Sequence, residues 1–173
     1  MTIRTILTYP NPLLRQKAKQ VGTFDKELEQ LIDDMAETMY DAPGIGLAAT
    51  QIGDSRQLIV VDISKEKRDK DFMPLVNPRI VSSEGQQIDE EGCLSVPELT
   101  SNVKRFKKIT VAYQDITGEA AEITAEERFA VVLQHEIDHL HGILFIDHLS
   151  PLKRQLYKKK VKKMLAGEER PSG

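Results

Sequence analysis

The sequence predicts an α+β fold built on antiparallel or mixed β-sheets. Short β-branched apolar runs cluster in the middle of the chain, helical patterns lie towards both ends, and no internal repeat or low-complexity linker divides it. Asn11-Pro12 reads as an N-cap followed by proline at the first helical position, opening a short helix through about Lys19. A second helix starts near Asp25, where Leu28, Leu31, Ile32, Met35 and Met39 recur at helical spacing. It must stop at Asp41-Ala42-Pro43-Gly44, because a proline disfavours helical geometry in the residue before it.

After a loop over 44–53 the pattern turns to strands. Leu58 to Val61, Leu75-Val76 running into Pro78 to Val81, and Ile109 to Tyr113 are the clear ones, and Ala121 to Thr124 alternates weakly. Asp115-Ile116-Thr117-Gly118 supplies a hairpin turn between the last two. A long helix is expected from about Ala125 to His141, with Gly142 ending it. A final helix follows Ser150-Pro151 and runs to about Gly167. The expected organisation is one domain over 1–150, a basic C-terminal helix over 151–167 packed on it or extending from it, and a disordered tail over 168–173.

The chain has 173 residues, 40% of them hydrophobic, which is enough for one ordinary core. Its net charge of −3 argues against nucleic-acid binding by the chain as a whole, DNA included. The charge is unevenly spread: residues 151–170 hold eight Lys/Arg against two Glu, a local +6 that leaves −9 elsewhere. The first residues lack the apolar run of a signal peptide, and no stretch approaches the ~20 apolar residues of a membrane span. With a single cysteine, Cys93, there is no internal disulfide. These features together lead us to expect a soluble, cytoplasmic protein that does not bind membranes.

The long helix carries His135-Glu136-Ile137-Asp138-His139, an H-E-x-x-H motif. At about 100° per residue the two histidines sit roughly 40° apart, so both imidazoles can reach one metal ion. Glu136 lies roughly 60° from His139, beside the ligands, where it can exchange protons with a water activated by the metal. Phe129, Leu133, Ile137 and Leu140 form an apolar arc, with Val132 between it and the histidines, so this helix should be buried among the sheets. The bland reading is a pair of structural histidines flanking a glutamate. A catalytic metal site needs a third protein ligand and an open position. His141 falls on the polar face and His148 lies past the helix end, so both read as surface or structural residues. No downstream His or Glu stands at the spacing of common metalloproteases, which leaves the lone cysteine, itself more often a core residue than a ligand.

Cys93 lies in Glu91-Gly92-Cys93-Leu94-Ser95. Together with Gly44-Ile45-Gly46-Leu47-Ala48-Ala49-Thr50-Gln51 and His135 to Leu140, this segment resembles, in order, the three motifs of the bacterial peptide deformylases. The resemblance implies a sheet fold packed around a central metal-binding helix, and an enzyme that removes the N-formyl group from the methionine of newly made polypeptides, releasing formate. It makes Cys93, His135 and His139 the metal ligands and Glu136 the general base, with Gln51 and the backbone N–H of Leu94 stabilising the oxyanion. Gly44, Ile45 and Gly46 would lie along the substrate, and Ile45, Val131 and Val132 are the candidates for the methionine pocket. Arg128, one turn earlier, would rim its mouth. Glu91 would pair with Arg105 in support of the site, and Asp138 is either a supporting or a surface-pairing residue.

Two imidazoles and a thiolate accept Zn²⁺ or Fe²⁺. The resemblance implies Fe²⁺ as the native ion, with Zn²⁺, Ni²⁺ or Co²⁺ able to replace it. It also suggests that the basic C-terminal helix docks on the ribosome. The competing readings are an H-E-x-x-H metalloprotease, which lacks its downstream ligand here, and a ribosome- or RNA-binding module, which leaves the filled catalytic positions unexplained.

Overall fold

The computed structural model describes residues 2–64 and 70–169. Helix α1 (Lys26–Asp41) begins where the Asp25 side chain accepts a 3.0 Å hydrogen bond from the Leu28 N–H. Its stripe of Leu28, Leu31, Ile32, Met35 and Met39 is buried throughout. The strands are β1 (Gly46–Ala48), β2 (Leu58–Val61), β3 (Met73–Glu84), β4 (Gln87–Cys93), β5 (Val96–Arg105), β6 (Lys108–Gln114) and β7 (Ala120–Glu126). Five form an antiparallel sheet in the order β1-β2-β3-β6-β7, and β4-β5 is a separate antiparallel hairpin. Two further helices complete the fold, α2 (Glu127–Leu140) and α3 (Pro151–Glu169).

The five-stranded sheet is covered on both faces, which explains why β2 is apolar at every position. Leu58 and Val60 pack with α1, while Ile59 and Val61 pack with Leu133, Ile137 and Leu140 of α2. Each such side chain, fully withdrawn from water, stabilises the fold by about 1.5–3 kcal/mol. A third cluster joins Val96 and Val103 of the hairpin to Phe145, Leu149 and, from α3, Tyr157 and Val161. Helix α2 therefore lies between the large sheet and the hairpin, in the central position expected for it.

Several boundaries differ from the sequence reading. The first helical segment is a 3-10 turn over Pro12–Arg15, capped as expected by Asn11, and it stops well before Lys19. Tertiary backbone bonds take over there: Ala18 N–H donates to Leu140 O at 2.8 Å and Lys19 N–H to Ser55 O at 2.6 Å. The same N-terminal arm donates from Leu7 N–H to Gln51 O and from Tyr9 N–H to Ser95 O, both at 2.7 Å. The two runs around Pro78 are one strand, because Asn77 (φ +50°) forms a bulge that accommodates the proline. Ala125 and Glu126 continue β7 opposite Ile109 and Lys108, so α2 starts later than expected. Helix α3 runs through Glu169, two residues into the expected tail, and 170–173 fall outside the described residues. Among the described residues no helix is long and apolar enough to cross a membrane.

Candidate metal centre

Cys93 ends β4 against the middle of α2, and the fold brings it to the two histidines of that helix. The ligand atoms of Cys93, His135 and His139 all lie within 4.8 Å of one another, and Cys93 Sγ is 3.3 Å from His139 Nε2. The Glu136 carboxylate stands 3.8 Å from His135 Nε2 and 4.0 Å from His139 Nε2, beside the ligands as the helical wheel requires. One thiolate and two imidazoles, with a fourth direction left to a cleft, fit a tetrahedral ion such as Zn²⁺ or Fe²⁺. Burial, and then the neighbouring His135, hold His139 well below the ordinary imidazole range, so it is neutral and able to ligate. Burial pushes Glu136 up to about 7, with Glu91 and Asp138 adding to the rise and His135 and Arg105 opposing it.

A buried ion-pair chain fixes the His135 ring. Glu91 Oε1 lies 2.9 Å from His135 Nδ1, and Arg105 donates to both Glu91 oxygens at 2.8 and 2.9 Å. Arg105 also donates to Asp138 Oδ2 at 2.7 Å, and His148 Nε2 lies 2.9 Å from the same oxygen. Against the cost of burial, the Arg105 guanidinium and His135 hold Glu91 down to about 2. A carboxylate on Nδ1 sets the ring's tautomer and leaves Nε2 to face the ligand position. His139 has no such support: its Nδ1 is buried without a hydrogen-bond partner among the described residues. It is held instead by packing and by Thr50, whose hydroxyl donates to the His139 carbonyl at 3.1 Å.

Gln51 stands in a 3-10 turn (Ala49–Ile52) after β1. Its Oε1 accepts from Ala48 N–H at 2.9 Å, which turns its Nε2 towards Ser95 Oγ (3.0 Å) and Cys93 Sγ (3.7 Å). Leu94, in the turn of the hairpin, lines the cleft beside it. Gly46 has a specific reason to be glycine: a Cβ there would stand 2.8 Å from Glu136 Oε2. A Cβ on Gly44 would meet Leu94 Cδ1 at the same distance. These glycines thus make room for the site's own side chains, a role that the motif alone did not reveal.

The cleft holds about 710 Å³. Ile45, Val131 and Val132 line its apolar part, and Gly44 and Gly46 lie along the β1 side. Arg128 is at its mouth, two-thirds exposed and 4.0 Å from Asp89. His141 is exposed and belongs neither to the Cys93, His135 and His139 group nor to the lining of the cleft. The sequence reading missed Ser95, Phe145, which stacks on His135 at 6.2 Å, and Leu99 in the cleft wall. Only Ser95 carried a signal, as the last residue of the cysteine motif.

A central helix bearing two imidazoles and a buried carboxylate, met by a thiolate from a hairpin and open to an apolar cleft, is an arrangement suited to a metal-dependent hydrolase. Comparison with known proteins identifies which one. The polypeptide deformylase family model matches residues 3–155. The peptide deformylase of Desulfotalea psychrophila is 62% identical over 164 residues, covering 94% of this chain and 97% of that protein. That of Syntrophobacter fumaroxidans is 53% identical, with coverage of 95% and 97%. The crystal structure of the Legionella pneumophila peptide deformylase superposes with a TM-score of 0.89 at 50% identity, covering 99% of this chain and all of the other. The Ehrlichia chaffeensis enzyme, solved in complex with actinonin, gives 0.87 at 35% identity, with coverage of 95% and 98%. The chain belongs to the polypeptide deformylase family. Its reaction is hydrolytic removal of the formyl group from the N-terminal methionine of new polypeptides.

Proposed function

We propose that Cys93, His135 and His139 hold one divalent ion, natively Fe²⁺ and replaceable by Zn²⁺, Ni²⁺ or Co²⁺, and that Glu136 is the acid–base residue of deformylation. The convergence of three soft and borderline ligand atoms within 4.8 Å, with the Glu136 carboxylate beside them, carries this reading. When bound, the ion supplies a Lewis acid that activates water and polarises the formyl carbonyl. Glu136 takes the proton of the attacking water and returns it to the departing amine, so that one water converts the formamide into formate and a free N-terminus. The Gln51 amide and the Leu94 N–H donate to the developing oxyanion.

In this reading the substrate backbone adds to the free edge of β1 at Gly44–Gly46, and the methionine side chain enters between Ile45 and the Val131/Val132 turn. Arg128 rims that pocket. Glu91 and Arg105 keep His135 oriented. The exposed lysines of α3, Lys158, Lys159, Lys162 and Lys163, dock on ribosomal RNA through phosphate contacts that weaken steeply with salt.

Incubation with formyl-Met-Ala-Ser and with an internal-bond peptide tests the reaction, reading formate and free amine. We expect formate from the formylated peptide alone, and actinonin as an inhibitor. Glu136→Gln lowers the rate by about 10²–10⁴ while bound metal is retained. Equal cleavage of the internal or unformylated peptide refutes the reading. Metal analysis after anaerobic purification should find iron; full activity in a preparation holding only zinc removes the iron assignment. Cosedimentation with ribosomes should fall with salt and with reversal of those four lysines to Glu, and insensitivity to both removes the docking role.

A further inference from the structure

The wall of the cleft formed by β5 is not a regular strand. Gly92 faces Thr100 and Cys93 faces Val96, so Pro97, Glu98 and Leu99 have no partner on β4, and Glu98 takes a φ of +62°. Such a bulge holds its shape only when the surroundings fix it. Here α3 fixes it: Tyr157 donates its hydroxyl to Pro97 O at 2.8 Å, and Lys160 Nζ donates to Glu98 O at 3.1 Å.

On the far side of the bulge a second hollow of about 320 Å³ opens between β5 and α3. Leu99 and Thr100 line both hollows, so the cleft and the groove lie on either side of a shared wall. Leu149 and Leu156 add apolar surface, Leu156 being 57% exposed, and Lys153 supplies the charge, Lys160 being paired with Glu98 Oε2 at 3.9 Å. The cleft mouth is the opposite in sign, with Asp89, Glu90 and Glu98 against the single Arg128. A polypeptide whose formyl-methionine occupies the cleft must send the rest of its chain out of it. A peptide of about ten residues reaches up to roughly 33 Å when extended, long enough to leave the cleft and lie along a second site.

We propose that the β5–α3 groove is an extended substrate site, resting on the deformylase reading above. It takes the part of the substrate downstream of the formyl-methionine, with an apolar residue against Leu149 and Leu156 and an acidic residue against Lys153. Substrate choice then extends beyond the first residues, and α3 contributes to it directly through groove residues distinct from its RNA-facing lysines.

The test compares kcat/KM for formyl-Met-Ala-Ser with that for formyl peptides of about ten residues, whose tails are either apolar and acidic or polar and basic. The ratio of the long acidic peptide to the tripeptide should exceed that of the long basic one by roughly three- to tenfold. Lys153→Glu should reverse the preference and Leu156→Ser should shrink it. Lys26→Glu, the same charge change on the opposite side of the sheet, should leave the ratio unmoved. Failure to turn over the tripeptide would count against the deformylase reading itself. Turnover of the tripeptide with equal ratios for both tails, or with ratios that Lys153→Glu does not change, overturns the groove alone. So does a Lys153→Glu variant that loses only its ribosome association, which would assign that lysine to RNA.

Discussion

Helices α1 and α2 cover opposite faces of the same sheet, and each region buries a carboxylate against an arginine. On the α1 side Asp34 is 2% exposed and accepts from Thr2 N–H, Gln30 and Arg4, while Arg4 itself keeps 43% of its side chain in water. That cluster ends at the surface and ties down the N-terminal arm. On the α2 side Glu91 and Arg105 are both 4% exposed, and their chain ends inward on His135. The first arrangement holds a segment in place. The second passes its geometry to a ring nitrogen, and so cannot be relaxed without disturbing the site. Buried charge thus has two different uses within one fold.

The comparison is tested most severely by Arg105→Met, which leaves Glu91 buried without its guanidinium and with His135 Nδ1 as its remaining partner. Chemical denaturation should show a loss of about 3–5 kcal/mol, with weaker metal retention in whatever folds. Arg4→Met should cost far less, because Asp34 keeps its backbone and Gln30 donors. Acid sharpens the same contrast. Glu91 is held near 2 in the folded protein, against an ordinary 4.5, so its stabilisation is complete above about pH 4.5 and disappears as the pH falls towards 2. The loss should be about 3 kcal/mol, read as a denaturation midpoint that falls with acid less steeply in Glu91→Gln than in the wild type.

Leu31→Ala, in the fully buried stripe of α1, should cost about 3 kcal/mol of stability yet leave kcat of the folded enzyme unchanged. Gly46→Ala should do the reverse. Its Cβ displaces the Glu136 carboxylate, lowering kcat by about 10- to 100-fold with a small change in melting temperature. A large stability loss with intact kcat would show that Glu136 holds its place and that the strain is taken up elsewhere. The smallest effect is expected at Asp25→Ala, where loss of the α1 cap costs about 1 kcal/mol and activity is untouched.

These two regions also differ in how much of them the sequence makes legible. The α1 stripe and the α2 histidine spacing are periodic patterns, and both helices form, although α2 starts two residues later than expected. The β4-β5 hairpin escaped that reading because its inward positions near the site are Glu91 and Arg105 rather than apolar residues, so no hydrophobic alternation marks it. Strand β1 is three residues long and starts at a glycine, which reads locally as a loop. The extended run after Arg15 is decided by Leu140 and Ser55, far away in the chain, and no local propensity encodes that. The three motifs singled out residues that the fold brings together around one cleft. Their spatial order, with Ser95 behind Gln51 and His148 behind Asp138, came only from the fold.

The N-terminal arm gives the molecule a timetable. Leu7, Tyr9 and Ala18 are made early, yet their partners are Gln51, Ser95 and Leu140, the last of them at the C-terminal end of α2. The arm therefore cannot finish docking until most of the chain has been synthesised, and its contacts span long stretches of sequence, which slows folding. The seam it closes runs past the Gln51 turn, the hairpin and the end of the metal-binding helix. Assembly of the cleft is thus a late event in the life of each new copy, completed by residues made well before the partners they dock on.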